Sequence, residues 1–240
     1  MGERVSKPDK SAFDLDYVGV KAPQFSFSRL EGADPVSGVE MASTGEVACL
    51  GDDVREAFLK SLLSTGYAIS RNSALLSAGP VQGMAKFIGS AEKLLRLGYE
   101  LFATQGTAEF LKQNNIPCTL VHAPLSRKEP NALTFLKEKR IGLVINIPRS
   151  EETEELTNEY LIRRAAVDYG IPLVTNLQCA ILLADSLGNA DQLQIKHWGE
   201  YTGEYLPPVS LNRFLKKEQA TTGLPDPAET SSQATGAEAA

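Results

Sequence analysis

Between Ser73 and Leu187 the chain alternates short apolar runs with stretches whose apolar residues recur at helical spacing. SALLSA (73–78) reads as a strand. MAKFIGSAEKLLRLG then places Phe87, Ile88, Ala91, Leu94 and Leu95 on one stripe and stops at Gly98, glycine being the favoured residue just past a helix end. YELFAT, CTLVHA, IGLVINIP and IPLVTN follow as strands, separated by the helical TAEFLKQNN, ALTFLKEKR and TNEYLIRRAAVDYG. QCAILLADSL closes the series as a helix. Strands joined through helices run parallel, because an antiparallel pair needs only a short turn. The right-handed crossover rule then distributes the helices over both faces. The pattern predicts an α/β fold, a doubly wound parallel five-stranded sheet in a Rossmann-type three-layer sandwich.

In such a sheet ligands bind outside the carboxyl ends of the strands. Three of those ends are polar: ATQGT (103–107), INIPR (145–149) and VTN (174–176). Thr104 and Thr107 offer hydroxyls, and Gly106 lets a ligand approach the backbone N–H groups of a starting helix, which attract anions. The competing reading is that a threonine merely caps the helix. Lys86, near the opening of the first helix, is either a second contact for an anion or a solvated lysine. Arg163 and Arg164 are consecutive on a helix and so project about 100° apart, which suggests that at most one faces inward. The acidic run EETEE (151–155) suits a helix N-terminus.

The flanks differ in composition. Residues 1–14 read as a flexible N-terminus, 15–70 as a mixed segment with short apolar runs, 71–200 as the α/β domain. Residues 201–240 have almost nothing to bury and read as a disordered tail. The formal net charge of −6 argues against a general nucleic-acid or membrane-surface binder. No apolar run approaches the ~20 residues that span a bilayer, and the start has no apolar signal region. Cys49, Cys118 and Cys179 are too widely spaced for a CxxC pair and odd in number, which favours a reducing compartment.

The motif LFATQGTAEFL, with LVINIP and NEYLIRRAAVDYGIPLVTN at their spacings, resembles the methylglyoxal-synthase-like regulatory domain that ends the large subunit of carbamoyl phosphate synthetase. The resemblance covers about residues 15–200. Upstream, YVGVKAPQFSFSRL and EMASTGEV are similar to the last strands of the synthetase's second ATP-grasp unit. The resemblance therefore implies a C-terminal piece of a longer polypeptide, with 15–70 as an ATP-grasp remnant. It implies no catalytic activity and no cofactor for this chain alone; the full-length synthetase would use ATP and Mg. It implies arginine, urea-cycle or pyrimidine metabolism, in the cytoplasm or the mitochondrial matrix. The implied partners are a small anionic effector and the remaining parts of the synthetase, with no nucleic acid and no membrane.

In that family the domain binds effectors: nucleotides such as UMP and IMP in bacterial forms, N-acetylglutamate in the ammonia-dependent form. Thr104 and Thr107 match the effector-binding threonines, Asn146 the asparagine ending the fourth strand, and Asn158 an asparagine that contacts N-acetylglutamate. There are departures. Ala123 stands where one form has tryptophan and the other lysine, Pro148 where the nucleotide form has threonine, and Arg149 where the N-acetylglutamate form has a second asparagine. Arg149 would restore positive charge, and a guanidinium suits a carboxylate or phosphate.

Three other readings compete. A lyase of the methylglyoxal synthase type needs a general base near the substrate carbon, yet APLSRKEPN and PRSEETEEL hold neither the aspartate nor the histidine used there. The transformylase and cyclohydrolase domain of purine synthesis shares the fold but not the upstream segment. A structural or oligomerisation module with a degenerate pocket is the third.

Overall fold

The computed structural model describes residues 15–36, 43–68, 72–77, 81–126, 128–148 and 153–203. The expected flexible N-terminus, most of the expected tail and Arg149 lie outside them. The chain divides into two compact units, Met1–Gln194 and Ile195–Ala240.

The first unit holds a five-stranded parallel sheet: β3 (Ser73–Ser77), β4 (Glu100–Ala103), β5 (Thr119–Leu120), β6 (Leu143–Asn146) and β7 (Leu173–Val174). Their order is β5-β4-β3-β6-β7, so the first of them lies in the middle and the winding reverses between β3 and β6. The strand period of two sorts the core into two layers. Ala74, Leu76, Leu101, Ala103, Leu143 and Ile145 face one side, packed against α2 (Val81–Arg96), α3 (Gln105–Gln113) and α6 (Leu177–Leu187). Leu75, Phe102 and Val144 face the other, against α4 (Ala132–Lys137) and α5 (Thr153–Asp168). The predicted stripe of α2 is the buried one: Phe87, Ala91 and Leu94 are core, and Gly98 ends the helix in the left-handed region at φ 81°.

The two edge strands are shorter than predicted. CTLVHA pairs only at Thr119–Leu120, because beyond it the chain is drawn toward the start of α4: His122 N–H donates to Pro130 O at 2.7 Å and Ala132 N–H to His122 O at 2.9 Å. In IPLVTN, Pro172 has no N–H to give; its carbonyl accepts from Val144 N, and pairing is confined to Leu173–Val174.

Ahead of the sheet, β1 (Val18–Gln24) and β2 (Gly45–Gly51) form a separate antiparallel pair. α1 (Val54–Ser64) follows, capped by Asp53, whose side chain accepts from Glu56 N. Leu59 of α1 is buried in the first core layer, and β1, β2 and α1 fall within the same compact unit as the sheet. In the second unit α7 (Trp198–Thr202) starts in a capping box of His197 and Glu200 and ends at Gly203, φ 72°. Its last residues overlap the start of the expected tail at 201. Among the described residues no helix is long and apolar enough to cross a membrane.

Candidate functional site

Register makes the first assignment. Leu76 pairs with both Ala103 and Ile145, so the next residues along stand at one level, Ser77 and Asn146 ending β3 and β6 and Thr104 immediately following β4. All three share the parity of Leu75, Phe102 and Val144 and therefore belong to the α4–α5 face. Ser77 and Asn146 pair directly, at the point where the winding reverses. That is where an open α/β sheet forms its ligand crevice, because the following helices leave for opposite faces.

Thr104 occupies the cap position of α3 with extended backbone, φ −67° and ψ 158°, but its side chain makes no capping bond. Its hydroxyl instead donates to Ser77 Oγ at 3.3 Å, along the rim. Helix capping is thus not what Thr104 does, and Gln105 and Gly106 in the first turn of α3 are exposed.

Asn146 is 0 % exposed. Its Oδ1 accepts from Arg163 Nη1 at 2.9 Å, and its Nδ2 is buried with no hydrogen-bond partner among the described residues. Arg163, 3 % exposed, also donates to both oxygens of Asp34, from Nε at 2.8 Å and Nη2 at 2.5 Å, and lies 3.9 Å from Glu159. Burial pushes the Asp34 carboxyl upward, but the Arg163 bonds, the Val36 N–H and the guanidinium charge outweigh it, and its pKa is lowered. Arg164 donates to the carbonyls of Phe27, Leu30 and Ala33, each at 3.0 Å, and to Asp168. Both arginines are therefore buried, against the expectation from their angular separation. The reason is that residues 27–36 cover α5 and accept from the second one.

The other predicted residues are dispersed. Thr107, 2 % exposed, lines a cleft on the opposite face with Leu76, Met84, Phe87 and Ile145, and that cleft of ≈ 10 Å³ has room for about one water. It does not join Thr104 and Asn146, because it lies with Ala108 and Leu111 on the buried face of α3, which packs on the first core layer. Lys86 is exposed five residues into α2, since that helix starts at Val81 rather than beside Lys86. Asn158 Oδ1 accepts from Leu125 N at 2.9 Å and so ties α5 to the loop after β5. The polar end at 174–176 is a cap: Asn176 accepts from Cys179 N at 3.1 Å. Sequence reasoning missed Ser77 and Asp34. Ser77 is a polar residue at the end of an otherwise apolar strand and was visible; Asp34 carried no local signal.

A family model for the MGS-like domain matches residues 86–175. Residues 86–175 form an MGS-like domain. The chain is also 46% identical over 178 residues to multifunctional protein pyr1-3 of Dictyostelium discoideum, covering 72% of this chain and 8% of that protein. It is 40% identical over 215 residues to the mitochondrial carbamoyl-phosphate synthase [ammonia] of Homo sapiens, covering 84% of this chain and 14% of that protein. Identity to multifunctional protein CAD of Squalus acanthias is 39% over 201 residues, or 78% of this chain and 9% of that one. The chain thus spans roughly a tenth of the length of these curated relatives, between 8% and 14%.

Proposed function

We propose that this chain is the effector-binding end of a carbamoyl phosphate synthetase polypeptide, and that its MGS-like domain takes a small anionic metabolite, N-acetylglutamate or a nucleotide, at the β3–β6 rim. The supporting observation is the donor row Thr104–Ser77–Asn146 at the winding reversal, with the buried Asn146 Nδ2 lacking a partner among the described residues. A buried amide hydrogen left without an acceptor costs about 1–3 kcal/mol, and an anionic oxygen relieves that cost. Lys86 and Arg149 are proposed as outlying cations and Asn158 as a residue that shapes the rim; Thr107, which faces the other layer, is proposed to act only by packing α3 in place. Residues 15–70 are proposed to complete an ATP-grasp unit whose nucleotide-binding part precedes this chain, in the cytoplasm or the mitochondrial matrix. Effector binding regulates by favouring one conformer over another, and only by as much as its affinity differs between them.

Calorimetry of the chain against N-acetylglutamate, UMP, UTP and IMP tests this. Binding of one of them is expected. Asn146→Ala should weaken it by about tenfold or more while the fold stays intact, a donor to a charged acceptor contributing about 1.5–3 kcal/mol, and Thr104→Ala should weaken it less, by releasing the Ser77 hydroxyl that Thr104 orients along the rim. Heat from none of the four would favour a structural module, and formation of methylglyoxal from dihydroxyacetone phosphate would favour the lyase.

A further inference from the structure

Arg163 decides which half of the Asn146 amide is left for a ligand. A guanidinium only donates, so it must hold the amide by Oδ1 and turn Nδ2 away from itself. No other buried side-chain nitrogen or oxygen among the described residues lacks a partner. Arg163 is fixed in turn by the two oxygens of Asp34, a paired geometry that sets the plane of the guanidinium as well as its position. Asp34 lies in the segment joining β1 to β2, and α5 grips the same segment twice more. Tyr160 donates to Gly32 O at 2.8 Å, and Arg164 binds three of its carbonyls.

We infer that Asp34 and Arg163 are positioning residues that hold the Asn146 amide as an anion donor at the rim, and that the same contacts couple ligand binding to the docking of residues 27–36 on α5. The inference rests on the effector reading above. A carboxylate or phosphate oxygen on Nδ2 stabilises the amide in the orientation Arg163 requires, and a correctly placed Arg163 stabilises docked Asp34. Coupling of this kind is reciprocal: docking strengthens binding by the factor with which binding strengthens docking. The responding segment is continuous with β1 and β2, so occupancy at the rim is relayed to the antiparallel pair.

The test uses the whole chain and four probes, N-acetylglutamate, UMP, UTP and IMP. Asp34→Asn should bind the probe that wild type binds about tenfold more weakly, within the range of inter-site coupling. Ligand should raise hydrogen-exchange protection of residues 27–36 in wild type and not in the variant. Tyr160→Phe, which loosens the same segment without touching Arg163, should keep its affinity within about twofold, a factor worth only ~0.4 kcal/mol. Should Asp34→Asn fail to fold, Arg163→Lys replaces it. A lysine keeps the charge but cannot hold Asp34 and Asn146 together, and it should show the same weakening. Wild-type affinity in Asp34→Asn would overturn the relay and leave the effector reading standing. Equal weakening by Tyr160→Phe would overturn positioning in favour of general loosening. Binding of none of the four probes to wild type would overturn both.

Discussion

Replacing Arg163 by methionine probes the network from its centre, and its cost can be built from the three groups the guanidinium meets. Asp34 has a side chain 39% exposed, so it regains water, and losing that pair costs about 1 kcal/mol or less. Asn146 Oδ1 has no such recourse at 0 % exposure, and orphaning it costs about 1–3 kcal/mol. Glu159, whose side chain is 8% exposed, loses a cation at 3.9 Å, and removing one partner of a buried pair costs about 3–5 kcal/mol. Methionine fills most of the aliphatic volume, so a cavity adds little. Because the three groups share one network their contributions do not add in full, and the total is about 3–5 kcal/mol. At about 2–4 °C per kcal/mol for a unit of this size, the unfolding midpoint should fall by roughly 6–20 °C. Adding Asn146→Leu removes the orphaned oxygen, and the double-mutant cycle should return at least about 1 kcal/mol of coupling. Reversible thermal or urea unfolding reads both quantities. A loss under about 1 kcal/mol, or strict additivity, would refute the claim that Arg163 is held through Asn146.

Acidification should release residues 27–36 before it unfolds the sheet. The Asp34 and Asp168 carboxyls both have pKa values lowered from 3.8, Asp34 by Arg163 against the opposing effect of burial and Asp168 chiefly by its bond to Arg164. A depressed carboxylate contributes stability that is present above its unfolded pKa and is lost as pH falls through the folded one, so the loss lies below 3.8. Hydrogen exchange, corrected for intrinsic rates, should show protection at 27–36 falling before that of β3 and β6; parallel decline would count against the reasoning. Gly51→Ala should be destabilising for a different reason. A Cβ there would stand 2.5 Å from the backbone nitrogen of Ala57 and 3.0 Å from Asp53 O, contacts that only a backbone shift at the β2–α1 junction relieves. A cost of about 1–3 kcal/mol is expected from denaturant unfolding, and a neutral result would show that the junction yields freely.

The sheet and its helices were legible because period and punctuation act locally. The α2 stripe and Gly98 state where one face lies and where the helix stops, and the two core layers follow from alternation along each strand. The edge strands were less legible, since a strand's length depends on its neighbour as well as its own residues. Pro172 and the His122–Pro130 contact end the pairing where apolar character alone would extend it. Polar strand ends needed the same non-local information. Asn146 and Asn176 look alike in sequence, yet one ends a central strand at the winding reversal while the other caps a helix after an edge strand.

Thr104 and Thr107 make the sharper case, three residues apart in one motif. Thr104 still follows the strand's alternation and lies beside Ser77; Thr107 already follows the helix and faces the other layer. A motif that straddles the end of a strand therefore divides its residues between two periodicities. Spacing alone cannot say that both hydroxyls meet one guest. Asp34 and Arg163 are separated by 129 positions, a contact no window of sequence reveals. What sequence does permit is a narrower inference: a buried arginine on a crossover helix must find its acceptors somewhere, because its charge is too costly to bury unpaired. In this chain those acceptors are a strand-end amide and a carboxylate from before the sheet, and so the cost of burying one guanidinium links the rim to the chain that precedes it.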